Sequence, residues 1–386
     1  MNRRMTRRNA LALTLCATTV VALSGVATPA AGAAARSETP TAAPSSTVTR
    51  IEDRTAKAVA ASLANAGWRE ELRSAVLKSD EIDLRAVTAR AANTAGRRLT
   101  GAVADADRRI VAVKGLDSSV GSLLRLRLGT DAMRKELTPG ASPLVAVATQ
   151  DDNAATVTAY DSRGRAHTLD ATEAPRRAVY VIDLDVSKAV AAGLDLLNKE
   201  LTKDGLTAPE ADRRTGARAT AAAGGFWTTK IDAVSLNDDE EPWTSGDAEI
   251  FSLVSGFGLD GKVRVDSVDM PYLDTDHHTY YPNQILVNWS NYKYNLADVV
   301  MMEDDGDTNY AALTKAIADA LLTITDQGAY VPLVNAILDA IPASWYTNDP
   351  DYVDSWYTLA VNSTGTINGA RGNGWMQVSK YWVQEL

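Results

Sequence analysis

Two carboxylate-dense turns hold the side chains best suited to chemistry in this chain. The first is Asn237-Asp238-Asp239-Glu240-Glu241-Pro242-Trp243, followed by Gly246-Asp247-Ala248-Glu249. The second is Glu303-Asp304-Asp305-Gly306-Asp307. Each follows a run with strand character. Like charges about 4 Å apart repel by roughly 4 kcal/mol at an effective dielectric near 20, and by less when exposed. Calcium turns such repulsion into coordination, because it takes about six to eight oxygen ligands and tolerates irregular loops. If both turns lie at one end of the same sheets, Asp238, Asp239, Glu241, Asp247, Glu303, Asp305 and Asp307 form a two-loop calcium site, with Glu249 in reserve. The spacing is not that of an EF-hand, since no closing Glu follows the second turn at the required distance. The competing reading is two solvated turns in which Asp and Gly serve turn geometry alone.

Other chemistries are weaker in the sequence. His277 and His278 lie side by side, and His167 is the only other histidine, too few for a structural zinc site. A surface turn is the expectation for that pair. Tyr280-Tyr281-Pro282-Asn283 and the run Asn288 to Asn295 combine aromatic rings with amides, as a sugar-binding platform requires. Half-buried core aromatics are the expected alternative. No His-Glu-x-x-His helix and no Gly-x-Ser-x-Gly elbow is present. Gly256 to Val263 approaches a phosphate loop, but Val263 stands where a magnesium-holding Ser or Thr is needed. Asp247 and Glu249 would share one face of a strand, which keeps a carboxylate-dependent glycoside hydrolase open as a second function class.

The elements that must position these groups change period along the chain. Ile51, Val59, Leu63, Ala66, Leu72 and Val76 recur close to helical spacing around Trp68. Asp80 is placed to cap a further helix carrying Ile82 and Val87, and Ala91 to Arg109 continues helical. Strands are predicted over 143–149, 156–160, 166–169 and 179–182, with Asp151-Asp152-Asn153 and Asp161-Ser162-Arg163-Gly164 as turns. A helix with Val190, Leu194, Leu197 and Leu201 on one face ends at Gly205. Residues 206–225 have linker composition. Beyond them, strands are predicted over 227–236, 247–255, 262–268, 284–289, 298–302, 356–361 and 375–383. Two helices interrupt these strands, the first marked by Tyr310, Leu313, Ile317, Leu321 and Ile324, the second by Val334 to Ile341, ended by Pro342. The expected fold class is α+β: a helical N-terminal segment with a small antiparallel sheet, then a C-terminal antiparallel β-sandwich carrying a helical hairpin at 308–342. The expected divisions are a signal peptide at 1–33, a tether at 34–50, a helical and small-sheet domain at 51–205, a linker at 206–225 and the sandwich domain at 226–386.

Bulk properties narrow the compartment and the partners. Arg3, Arg4, Arg7 and Arg8 precede an apolar stretch from Ala10 to about Leu23 and a small-residue site at Ala31-Gly32-Ala33, the pattern of an export signal. Thr6-Arg7-Arg8-Asn9 loosely matches a twin-arginine motif, and general export is the alternative. The expected location is therefore extracellular. The single cysteine, Cys16, lies in that leader, so the cleaved chain has no thiol and must rely on its core or on metal. The whole chain of 386 residues carries a formal charge of −10, and removing four leader arginines leaves −14. Such a balance repels phosphate backbones and disfavours nucleic acid and anionic lipid as partners. No other apolar run reaches membrane-spanning length.

The runs Glu241-Pro242-Trp243, Gly246 to Phe251, Met270-Pro271-Tyr272-Leu273-Asp274 and Tyr281 to Ser290 resemble an uncharacterised group of secreted bacterial proteins, known as domain of unknown function 3103. Pro143-Leu144-Val145-Ala146, Ala159-Tyr160-Asp161 and Leu169-Asp170 resemble the upstream segment of that group. The resemblance implies export and a shared fold, and it supplies no activity or catalytic residue. The acidic turns also look like those of calcium-dependent β-sandwich modules of the C-two type, an analogy of fold only. The leading expectation is a calcium-stabilised β-sandwich binding module with an extracellular polysaccharide or protein as its ligand. The alternative is a secreted carboxylate-dependent hydrolase acting on polysaccharide.

Overall fold

Four helices near the start of the chain each begin at a polar cap. Ser46, Asn65, Asp83 and Asn93 accept first-turn N–H groups of α1 (Thr47–Ser62), α2 (Ala66–Val76), α3 (Leu84–Ala89) and α4 (Thr94–Val113). Such bonds satisfy donors that a helix start otherwise leaves unpaired. The cap of α3 is Asp83, not Asp80. Ile82 lies in a short strand, β1 (Glu81–Asp83), while the Asp80 side chain is 97% exposed beside Arg134. The computed structural model describes residues 46–149, 154–206, 224–237, 243–244, 249–304, 306, 308–324, 326–340 and 352–384. The leader, residues 34–45 of the tether, the Asp151-Asp152-Asn153 turn, linker residues 207–223 and Pro342 lie outside the described residues.

The helices cover one face of a six-stranded sheet. Its strands are β1, β2 (Leu124–Leu128), β3 (Leu144–Val147), β4 (Thr156–Tyr160), β5 (Ala166–Asp170) and β6 (Val179–Leu184), in the order β1-β2-β6-β3-β4-β5. Every pair is antiparallel except β3 with β6. Strand β2 shows why the sheet has two unlike faces. Leu124, Leu126 and Leu128 are buried in the helix-packed core, and Arg125 and Arg127 alternate onto the opposite face.

From β6 the chain enters α5 (Val186–Lys203), whose stripe Val190, Leu194, Leu197 and Leu201 is buried. Two four-stranded sheets follow. One has the order β10 (Gln284–Asn288), β7 (Gly225–Leu236), β14 (Gly374–Gln384), β13 (Gly365–Asn368). The other has the order β12 (Tyr352–Ala360), β11 (Leu296–Met302), β8 (Phe251–Phe257), β9 (Val263–Asp269). Ile231, Val254, Val299, Met301, Trp356, Met376 and Val378 form a core shared by both sheets. Phe251, Leu253, Phe257, Val300 and Met302 face away from it, into the larger core with α5, α6 (Tyr310–Leu322) and α7 (Val334–Ala340). Strand β8 is buried at all its positions, and β11 at all but Leu296. Burial on two faces is why neither strand alternates apolar with polar residues, and β11 ends in the continuous apolar run Val299 to Met302. The protein is thus mixed α+β, with three sheets that are mostly antiparallel.

Several aspartates are buried against backbone amides. Asp107 of α4 accepts from Leu123 and Leu124 N–H at 2.7 and 2.9 Å, tying the helix to β2. Asp298 in β11 accepts from Leu333 N–H at 2.6 Å and Thr358 N–H at 2.7 Å. It sits where the register with β12 jumps from Ala297–Leu359 to Val299–Trp356, a bulge in which Thr358 takes a φ of 55°. A β-branched residue is strained there, and the bond to Asp298 helps to hold it. Asp354 accepts from Ser355, Arg371 and Gly374 N–H, each at 2.8 Å, and fastens β12 to the loop before β14.

One junction joins the early helices to the later ones. Lys114, at the end of α4, is fully buried, with its ammonium 2.8 Å from the Gly306 carbonyl and 3.4 Å from Asp304 Oδ2. Tyr310 donates its phenol to the same Asp304 oxygen, and its N–H to the Lys114 carbonyl at 2.9 Å. The ring of Tyr310 packs on Gly193 of α5, where a Cβ would fall 2.0 Å from ring carbon Cδ1. Removing one partner of a buried ion pair costs about 3–5 kcal/mol, whereas an exposed pair contributes about 0–1 kcal/mol. Chemical denaturation should therefore show Lys114→Met destabilised by about 3 kcal/mol and Lys315→Met, at the exposed Lys315–Asp319 pair, changed by less than about 1 kcal/mol. Gly193→Ala gains up to about 1 kcal/mol of helix propensity but forces the Tyr310 ring to move, and the clash should win with a net loss of about 1–3 kcal/mol in the same assay.

Candidate functional site

The arginines on the face of the six-stranded sheet opposite Leu124, Leu126 and Leu128 build a charged ladder across three elements. Arg127 stands opposite Glu81 of β1, and Arg125 stands opposite both Asp83 of β1 and Asp183 of β6. Arg127 binds Asp183 at 2.7 Å and the Thr244 carbonyl at 2.6 Å. Arg125 binds Glu81 at 2.8 Å and also pairs with Asp185, the cap of α5. An open cleft of about 640 Å³ lies over this ladder, with Trp243 and Glu249 among its walls. That volume is within the range of small-ligand sites, about 300–1,000 Å³.

The far wall of the cleft is set by close packing. Trp243 lies against Gly129, where a Cβ would approach its ring to 2.4 Å, and donates its indole N–H to the Asp170 carbonyl at 3.1 Å. Glu249 accepts from Ser187 Oγ at 2.6 Å, linking the entry to β8 with the first turn of α5. Carboxylates outnumber guanidinium groups around the cleft, and its arginines are already paired within the ladder and the rim. The surface left to a ligand is accordingly acidic and polar, with one aromatic wall.

Glu81 is the titratable group most altered by this setting. Its side chain keeps 41% exposure, yet burial pushes its pKa up to about 7. Arg125 opposes that rise, and the charges of Asp183 and Asp185 add to it. Solvent contact keeps the energetic weight of the shift modest.

The sequence-predicted calcium ligands distribute unevenly. Asp238, Asp239, Glu241, Asp247, Asp305 and Asp307 lie outside the described residues. Glu303 is 3% exposed, at the end of β11. Its neighbour Asp304 turns inward to Lys114 and Tyr310. Burial pushes the Tyr310 phenol far up, and the charges of Asp304, Glu303 and Glu249 reinforce it, so these carboxylates lie within electrostatic reach of one ring. The register pairs Met302 with Phe251. The segment entering β8 and the segment leaving β11 therefore depart from the sheet at the same end. Among the described residues, no group of three or more His, Cys, Asp or Glu side chains is placed to hold a metal ion.

Other expectations resolve more plainly. Glu249 precedes β8 and is not on a strand, so the proposed shared strand face with Asp247 is not formed by β8. His277 and His278 occupy an exposed turn, with His277 at a φ of 54° and the His278 ring 4.4 Å from Tyr280. The aromatic run does not form one platform. Trp289 and Tyr292 are buried in the shared core, while Tyr281 is 72% exposed. Sequence reasoning missed β2 and with it the ladder, although Leu-Arg-Leu-Arg-Leu at 124–128 and Asp183-Leu184-Asp185 both carry a period-two signal.

The sequence profile of the family described as protein of unknown function (DUF3103) matches residues 55–385. The chain belongs to that family. No curated protein and no solved structure matches it. Membership agrees with the runs quoted above and assigns no chemistry, so any functional reading of a DUF3103 member rests on its own residues. No helix among the described residues is long and apolar enough to cross a membrane.

A carboxyl whose folded pKa lies above its ordinary value stabilises the fold most below that value, here 4.5, and loses the contribution as pH rises through about 7. Urea denaturation of Glu81→Gln at a series of pH values between these limits should show a flatter decline in stability than the parent protein. Equal slopes would mean that Glu81 ionises as an ordinary glutamate.

Proposed function

We propose that this DUF3103 member is a calcium-stabilised binding module that works outside the cell, with the acidic cleft as its ligand surface. The supporting observation is the pairing of Phe251 with Met302, by which the start of β8 and the end of β11, the strand ends next in sequence to the two carboxylate-rich runs, lie side by side. Glu303 is the described carboxylate of that set, and Glu249, the reserve ligand, is part of the cleft wall. The proposed donor set consists of carboxylate oxygens, the hard ligands that calcium prefers. The cation would neutralise repulsion between the turns and, in the exported chain without thiols, would supply stability that disulfides supply elsewhere. The cleft suits a polar ligand bearing positive charge or many hydroxyls.

The alternative is a carboxylate-dependent hydrolase acting on polysaccharide. One observation favours it: Glu81 is held partly protonated near neutral pH beside Asp183 and Asp185, as a general acid must be. The division of the 280–295 aromatics between core and surface counts against it.

Thermal unfolding in millimolar calcium and in chelator separates these readings. A site with a dissociation constant about tenfold below ambient calcium adds about 1.4 kcal/mol, or about 2 °C in a protein of this size. Calcium should raise the melting temperature of the parent chain by at least that amount and leave Asp239→Asn/Asp305→Asn unchanged. Superimposable melts of the parent with and without calcium would overturn the calcium reading. Release of reducing sugar from a polysaccharide panel, abolished in Glu81→Gln, would establish the hydrolase in its place.

A further inference from the structure

We draw no further inference here: the strongest candidate, the exposed aromatic and lysine patch at the open end of the β7–β14 ribbon, where Trp227 is 42% exposed with Trp382 at 5.1 Å and Lys380 over its ring at 3.9 Å, carries nothing because nothing in the structure shows what covers it.

Discussion

The carboxylate of Asp304 is the point on which the two ends of the fold meet. It takes a phenol from α6 and an ammonium from α4, and the Gly306 N–H closes the turn at 3.2 Å. A lysine cannot be fully buried without such partners, because its desolvation would cost several kcal/mol. The junction therefore fixes more than one contact. It sets where α4 ends, where α6 begins and how closely the Tyr310 ring lies on Gly193 of α5. It also withdraws one carboxylate of the second acidic turn from any ligand-binding use.

The same solution recurs through the molecule. Asp107, Asp298 and Asp354 each accept two or more backbone N–H groups from a neighbouring element. A carboxylate bonded in this way ties separate segments together, and each such bond to a charged group is worth about 1.5–3 kcal/mol. In a chain with a formal charge of −10, part of the acidic content is thus internal scaffolding. At the cleft, β1 and β6 present acidic residues in register against two arginines of β2.

Some of the fold was legible because periodicity reports burial directly. The α5 stripe, the helical spacing of the early segment and the strands around residues 156–160 and 227–236 follow from spacing alone. The cap of α3 was misplaced because Asp80 and Asp83 are both competent caps, and only pairing of Ile82 with Leu126 in the sheet assigns Ile82 to a strand. The aromatic run from Tyr280 to Tyr294 was ambiguous for a similar reason. A tryptophan beside asparagines looks alike in a core and on a platform. Trp289 is inside because its indole N–H reaches Thr229 at 2.9 Å on the inner face of β7.

Composition and local pattern by themselves determined the α+β class, the acidic balance, the family and the two carboxylate-rich runs, because each is a property of neighbouring residues or of totals. The tertiary structure alone decided which carboxylates are buried as scaffold and which keep contact with solvent. Asp304 and Asp80 both stand in acidic runs, yet Asp304 is buried and the Asp80 side chain is 97% exposed. What separates them is that Lys114 and Tyr310 enclose Asp304 in the core, whereas Arg134 meets Asp80 at the surface. A charge is internal or external according to the partner that meets it, and that partner is chosen by packing over the whole fold.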